Sequence, residues 1–295
     1  MSFSSTVKEE LIGLSTKSSC CRRALLYGFM LGAEIEGDTL SISSEIEAVA
    51  AHVAKLIREF FGKEPTAEVT ACFGRKKYIL RFESARLLKF LHGVDLGEGD
   101  LISLLGKSCA SCPQAFLRGA FLTFGTVSDP AQSYHAEFLI PFAARAEKLD
   151  ALLAELGIPA RRISRAKKIG LYYKSSSVIE ELFAEIGGSR AVFDLINAKI
   201  ERELRNNENR ATNCDARNIA KMVSASQKQI TAILRLKDCG MLDSLEEDLR
   251  KTAELRMEHD EVSLSELAAL HEPPISKSGL NHRLVRLCEL AEKIK

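Results

Sequence analysis

The stretch AFLRGAFLTFG, Ala115 to Gly125, repeats a pattern that occurs 91 residues earlier as ALLYGFMLGAE, Ala24 to Glu34. Both copies are apolar and carry a glycine near the middle, which predicts a buried helix. A duplicated helix of this kind predicts a structure built from two similar halves. The residues that keep the offset are Cys21 and Cys112, Ala24 and Ala115, Leu26 and Leu117, Gly28 and Gly119, and Leu31 and Leu122.

The same offset continues into a strand-like segment. RKKYILRFES, 75–84, aligns with AKKIGLYYKS, 166–175, and apolar residues alternate with polar ones in both. Between helix and strand, each copy has another short strand and an amphipathic helix that ends at a glycine, Gly62 or Gly157. A further helix follows each copy. The sequence therefore predicts an α+β domain made of a duplicated αββαββα unit, with repeats at about 1–95 and 96–190.

The character of the chain changes after Gly188. Residues 204–215 are rich in Asn and Arg and have few core-forming side chains, which is typical of a linker. No strand-like segment follows them. We therefore predict an N-terminal domain over 1–203, a linker over 204–215 and an all-α domain over 216–295; a chain of 295 residues with 46% hydrophobic content can bury two cores.

Composition excludes several classes of protein. The chain has no run of about 18 apolar residues, so no transmembrane helix is expected. The start, MSFSSTVKEEL, is polar and acidic, unlike a signal peptide. We expect a cytoplasmic protein with no membrane partner. The formal net charge is +1, so any nucleic-acid surface has to be local.

Eight cysteines in a chain of this length do not indicate a disulfide framework. Cys20 and Cys21 precede the first repeated helix and Cys109 and Cys112 precede the second, so the fold could bring them together. Four thiolates could hold a structural zinc ion, although adjacent cysteines are an unusual spacing for it. Reduced cysteines packed at helix starts are the favoured interpretation, and we expect no metal and no cofactor.

The segments LYGFMLGAE and LRGAFLTFG resemble the paired helices of LAGLIDADG homing endonucleases. The resemblance implies a saddle of two half-sheets that meet at the two helices, where Gly28 and Gly119 permit close backbone approach. Active members carry an acid near the end of each helix that binds metal for phosphodiester hydrolysis. The matching positions hold Ala33 and Phe124, and only Glu34 offers an acid nearby. We therefore predict a scaffold without enzymatic activity.

Basic residues cluster at equivalent places in the two repeats. They indicate either a solvated strand edge or a concave face that tracks phosphates by charge, and the second use would position DNA without choosing a sequence. The predicted phosphate surface consists of Arg75, Lys76, Lys77, Arg81, Arg161, Arg162, Arg165, Lys167, Lys168 and Lys174.

The C-terminal segment, about Val262 to Lys295, has the pattern of a helix-turn-helix. Ser263 and Glu266 have capping-box spacing, Pro273 ends the first helix, and Ser276 can cap a second helix. Apolar residues line one side of the second helix at Leu280, Leu284, Leu287 and Ala291. An ordinary helical hairpin with a solvated face is the alternative. Residues 218–236 also fit the motif, with Ser224 in the turn, and could be scaffold or a second contact.

Three phrases together resemble the WhiA family of Gram-positive bacteria: FLRGAFLTFGTVSDP, RNNENRATNC and SKSGLNHRL. This chain departs from the family pattern at SCASCPQ and at GTVS. Members are described as transcriptional regulators linked to sporulation septation, cell division and chromosome segregation. The resemblance assigns the recognition helix of the family to Ser276, Lys277, Ser278, Gly279, Asn281, His282 and Arg283. The predicted DNA-binding set consists of these residues except Gly279, together with Arg286.

We therefore predict a non-catalytic, nucleoid-associated regulator that binds double-stranded DNA in a sequence-specific manner. One alternative is an adaptor whose LAGLIDADG-like face binds another regulatory protein. The other is a residual metal-dependent endonuclease, which Mg²⁺-dependent nicking of plasmid DNA would reveal.

Overall fold

The computed structural model describes residues 2–72, 74–106, 109–165 and 168–294, without the side chains of Cys72 and Arg75. Contacts divide the chain into two units, Met1–Glu203 and Leu204–Lys295. Each unit has its own cluster of buried apolar side chains. Within the predicted phosphate surface, the side chain of Arg75 and all of Lys167 lie outside the described residues.

The first unit contains two copies of one series of elements, preceded by helix α1 (Phe3–Gly13). The first copy comprises α2 (Ser19–Met30), β1 (Glu34–Glu36), β2 (Thr39–Ser44), α3 (Glu47–Phe61), β3 (Thr66–Cys72), β4 (Arg75–Glu83) and α4 (Ala85–Leu96). After the short helix α5 (Leu101–Leu105), the second comprises α6 (Cys112–Phe124), β5 (Gly125–Val127), β6 (Ala136–Ile140), α7 (Ala143–Glu155), β7 (Arg161–Arg165), β8 (Lys168–Tyr173) and α8 (Ser176–Ile186).

The two antiparallel sheets have the same topology, with strand orders β1-β2-β4-β3 and β5-β6-β8-β7. Alternate residues of each central strand are buried, as Leu80 and Phe82 are in β4 and Leu171 and Tyr173 are in β8. Gly62 and Gly157 both have positive φ, as expected where a helix ends in a left-handed residue. The predicted α+β fold with a duplicated αββαββα unit is confirmed.

The repeated helices α2 and α6 pack directly against each other at their glycines. A Cβ on Gly28 would lie 2.0 Å from the carbonyl oxygen of Phe116, and one on Gly119 would lie 2.1 Å from that of Leu25. Only residues without a side chain permit this contact between two backbones. The structural role expected for the two glycines is therefore observed.

Helix α9 (Ser189–Asp238) follows α8. Helix α1 contacts the start of α9 through Glu10. The Glu10 carboxylate accepts hydrogen bonds from the backbone N–H groups of Arg190 and Ala191 at 2.7 and 3.1 Å. Residues 204–215, the expected linker, are part of this helix, and all of them are exposed.

The sequence interpretation of residues 218–236 as a helix-turn-helix is wrong. The segment is continuous helix, with no turn at Ser224. It contains no Gly or Pro to break the helix, and an apolar pattern that fits two short helices also fits one long helix.

The second unit packs the end of α9 against α10 (Glu247–Glu258), α11 (Leu264–Ala269) and α12 (Lys277–Glu292). Ile233 and Leu236 of α9 lie in a core with Leu267 of α11 and Leu284 of α12. A single turn of 3₁₀ helix, Leu242–Ser244, precedes α10. None of the helices among the described residues is both long and apolar enough to cross a membrane.

We expect Gly28→Ala to lower the free energy of unfolding by about 3 kcal/mol or more, because the new methyl group meets a backbone oxygen that cannot rotate away. Gly13→Ala is the matched control: Gly13 is also helical, no neighbouring atom lies within 4 Å of its added Cβ, and its variant should gain up to about 1 kcal/mol. Urea denaturation of both variants measures the difference. Equal midpoints would contradict the backbone contact.

Candidate nucleic-acid interface

Helices α11 and α12 begin at the residues that the sequence predicts. The Ser263 hydroxyl accepts a hydrogen bond from the Glu266 backbone N–H at 3.3 Å, and the Glu266 carboxylate accepts one from the Ser263 N–H at 2.9 Å. At the start of α12, the Ser276 hydroxyl accepts a hydrogen bond from the Gly279 N–H at 3.0 Å. These caps satisfy N–H groups that would otherwise lack partners at a helix start.

One side of α12 is completely buried. Leu280, Leu284 and Leu287 have no exposed surface, and Ala291 is 2% exposed. This stripe fixes the rotation of the helix about its axis, so the opposite side points to solvent. The exposed residues of the predicted DNA-binding set are Ser276, Lys277, Ser278, Asn281, His282 and Arg286.

Arg283 differs from the rest of this set. It is half-buried, and its guanidinium pairs with Asp248 of α10 at 2.6 Å. Arg286, one turn later on α12, has a looser ion pair with Glu289 at 3.6 Å, and both side chains are about half exposed. Arg283 therefore ties α12 to α10, whereas Arg286 remains accessible to a ligand.

His271 lies in the turn before α12, and the sequence pattern did not single it out. It is buried, and its Nε2 has no hydrogen-bond partner among the described residues. Burial lowers the pKa of His271, and the cations of Arg283 and Lys251 lower it further. Lys251 also donates a hydrogen bond to the carbonyl oxygen of Glu272 at 3.0 Å. The turn is therefore held against α10 around a neutral imidazole.

We call the side of each sheet that faces away from the buried apolar residues its open face. In the second sheet, register places Arg161, Arg165 and Lys168 on the open face. Arg162 lies on the other side and pairs with Glu147 of α7 at 3.1 Å. Strand alternation therefore separates two neighbouring arginines that the sequence placed in one group.

Two of the basic side chains on the second sheet interact with neighbouring side chains. Arg165 pairs with Glu137 at 3.0 Å, and the ammonium of Lys174 lies 5.5 Å from the ring centroid of Tyr172. Glu137 reaches Arg165 across Gly170, which has no side chain between them.

The first sheet divides its basic residues in the same way. Lys77 and Arg81 lie on the open face, where Arg81 pairs with Glu68 of the neighbouring strand. Lys76 has the opposite orientation because it alternates with Lys77 along β4. Only part of the predicted phosphate surface therefore lies on the open faces, and Lys76 and Arg162 lie on the opposite sides of their sheets.

The positions that match catalytic acids are filled with apolar side chains. Ala33 is fully buried, and the ring of Phe124 lies against Gly32, where a Cβ would be 2.1 Å from it. Glu34 is exposed at the start of β1. Neither Ala33 nor Phe124 offers an oxygen side chain to a metal ion.

A buried arginine occupies the end of α2, which sequence analysis did not anticipate. Arg145 donates hydrogen bonds to the carbonyl oxygens of Ala33 and Leu31 at 2.7 and 3.2 Å. It also pairs with both carboxylate oxygens of Asp95 at 2.8 and 3.0 Å. A cation is favourable at a helix C-terminus. The Arg145 guanidinium therefore joins the end of α2 to Asp95 of α4.

Comparison with known proteins agrees with this architecture. The sequence-family model described as "WhiA C-terminal HTH domain" matches residues 209–291. The family model described as "WhiA LAGLIDADG-like domain" matches residues 113–205. A "Probable cell division protein WhiA" from Lachnoclostridium phytofermentans is 33% identical over 317 residues and is covered completely, as is this chain. One of the same name from Oceanobacillus iheyensis is also 33% identical, with 100% of this chain and 98% of that protein covered.

Solved structures share the fold. The crystal structure of full-length DUF199/WhiA from Thermotoga maritima superposes with a TM-score of 0.62 at 24% identity, covering 100% of this chain and 99% of that one. The N-terminal LAGLIDADG domain of DUF199/WhiA matches with a TM-score of 0.52 at 21% identity, over 63% of this chain and 90% of that one. The chain belongs to the WhiA family and has that family's LAGLIDADG-like and helix-turn-helix domains.

Proposed function

We propose that this protein is a sequence-specific DNA-binding regulator of transcription in which α12 is the recognition helix. The observation that carries the proposal is the exposed polar side of α12, whose first turns present Lys277, Ser278 and Asn281. Amide, hydroxyl and cationic side chains near the start of such a helix can contact base edges and phosphates in the major groove. The sequence-reading part is assigned to residues 216–295.

The names of the relatives support a proposed role in cell division. Curated relatives carry the name "Probable cell division protein". We propose that this protein acts on the nucleoid in the cytoplasm and regulates genes for cell division, including sporulation septation and chromosome segregation.

The N-terminal domain, 1–203, is proposed to track phosphates through the open faces of its sheets. Arg161, Lys168 and Lys77 are exposed there. Contacts of this kind add affinity and position the protein without reading bases. Arg81 and Arg165 contribute less because each is held by a carboxylate.

Catalysis is not part of the proposal. Hydrolysis in this fold needs carboxylate-bound metal at both helix ends, and these ends carry Ala33 and Phe124.

A protein-binding role is the second candidate, and an exposed apolar stripe on α9 favours it. Phe193, Ile196 and Ile200 follow one another at spacings of three and four, which places them on one side of the helix, and they are 65%, 36% and 50% exposed. On the open faces of the sheets, Ile163 is the one large apolar side chain of comparable exposure among the described residues. A protein partner is therefore proposed for α9 rather than for the LAGLIDADG-like face.

Substitution of neighbouring arginines in β7 tests the open-face assignment. Arg161→Ala should make the salt dependence of DNA binding shallower by about 0.9 in log–log slope, the value for one lost phosphate contact. Arg162→Ala removes the same charge from the other side of the strand and should leave the slope unchanged. Fluorescence anisotropy with nonspecific duplex DNA measures both, and equal effects would contradict the assignment.

Phosphate contacts by α12 predict a related change. Lys277→Ala and Arg286→Ala should each weaken DNA binding and each reduce the salt slope by about one. Lys237→Ala, which removes an exposed cation from α9, is the control for overall charge. An unchanged slope for both α12 variants would exclude these residues from the phosphate contacts.

Asn281→Ala tests base recognition separately from affinity for the backbone. If Asn281 contacts a base edge, discrimination at one position of the site should fall by about 1–3 kcal/mol while nonspecific binding stays constant. Competition titrations with single-base variants of a selected site give this energy. A uniform loss across all sequences would assign Asn281 to the DNA backbone instead.

A further inference from the structure

Four cysteines from the two repeats meet at one end of the central helix pair. Cys20 and Cys21 lie in the first turn of α2, Cys112 begins α6, and Cys109 precedes it by three residues. The glycine contact sets α2 and α6 side by side in parallel, so their N-terminal ends are neighbours. The packing of the two helices therefore brings together cysteines that are about 90 residues apart in the chain.

The separations of the sulfur atoms match a single tetrahedral ion. The Sγ of Cys109 lies 3.6 Å from that of Cys20, 3.3 Å from that of Cys21 and 3.5 Å from that of Cys112. All four Sγ atoms lie within 4.8 Å of one another. Zinc–sulfur bonds of about 2.3 Å in a tetrahedron place the sulfurs about 3.8 Å apart.

We propose that Cys20, Cys21, Cys109 and Cys112 bind one structural zinc ion that joins the two repeats. Zinc is chosen because four thiolates complete its coordination shell, which leaves no open position for catalysis. An iron–sulfur cluster attaches its cysteines to different iron atoms and would hold the four sulfurs farther apart. A disulfide is not formed, because all four cysteines are free and their sulfurs are too far apart to be bonded.

Burial raises the pKa of Cys21 and of Cys112, and two neighbouring features offset part of the negative charge of four thiolates around one divalent ion. The N-terminal ends of α2 and α6 supply two partial positive charges. Arg118 of α6 is half-buried and interacts electrostatically with Cys21. Its guanidinium donates hydrogen bonds to the carbonyl oxygen of Ile186 at 2.8 Å and the Thr16 hydroxyl at 3.3 Å, neither of which neutralises its charge.

This arrangement changes the interpretation of the cysteines made from sequence. Sequence analysis noted adjacent cysteines as an unusual spacing for zinc, and side chains one residue apart on a regular helix do diverge by about 100°. In the structure, the sulfurs of Cys20 and Cys21 both lie close to that of Cys109, which is in the loop just before α6. The ion would stabilise the contact between α2 and α6 at the end opposite to Ala33 and Phe124.

Metal analysis of the full-length protein tests the proposal. Protein purified without chelator should contain about one zinc ion per chain, and Co²⁺ exchange should give the thiolate-to-metal charge-transfer and visible bands of a tetrahedral all-sulfur site. Cys20→Ser and Cys109→Ser should each lose most of the bound zinc. Cys239→Ser, which changes an exposed cysteine outside the cluster, should retain it.

Two results would overturn the proposal. One is unsubstituted protein that contains only trace zinc and gives no Co²⁺ band. This measurement does not depend on whether either variant folds. The other is zinc that remains at full occupancy in both Cys20→Ser and Cys109→Ser, which would place the ion elsewhere.

Discussion

The contact between the backbones of α2 and α6 holds the two repeats together, and the other features of the N-terminal unit depend on it. Gly28 and Gly119 lie where any side chain would meet a carbonyl oxygen of the other helix. This contact brings four cysteines together at one end of the helix pair and places Ala33 and Phe124 toward the other. Close packing at a duplicated helix is thus the constraint that the remaining sequence of this unit has to satisfy.

The C-terminal ends of α2 and α6 are closely packed, with Ala33 buried and the ring of Phe124 against Gly32. The end of α2 is capped by the Arg145 guanidinium, which is itself neutralised by Asp95. Removal of Asp95 would be costly, because the buried Arg145 guanidinium would lose the carboxylate that compensates its charge. The end of α2 therefore has a structural contact to α4, and exposed cations lie on the open faces of the sheets. The proposed division of labour gives phosphate contacts to the N-terminal unit and base recognition to α12.

Much of this could be predicted from the sequence because the signals are local. The 91-residue offset predicted the duplicated unit, and the spacing of Ser263, Glu266 and Ser276 predicted the starts of two helices. The second helix-turn-helix at 218–236 was predicted wrongly because an apolar period alone does not show where a helix stops. The different sides of Arg161 and Arg162 depend on strand register, and the pairing of Arg283 with Asp248 depends on tertiary packing. A local sequence pattern predicts neither the strand register nor this ion pair.

The central claim, that α12 reads a DNA sequence, is tested most directly by a binding selection. Full-length protein is mixed with sheared DNA from its source organism at two salt concentrations, and the bound fragments are recovered and sequenced. The account predicts enrichment of a shared motif that weakens as salt rises, since base contacts select the sites and phosphate contacts supply salt-dependent affinity. Recovery of no motif at either salt concentration would contradict it and would favour a protein partner at the apolar stripe of α9.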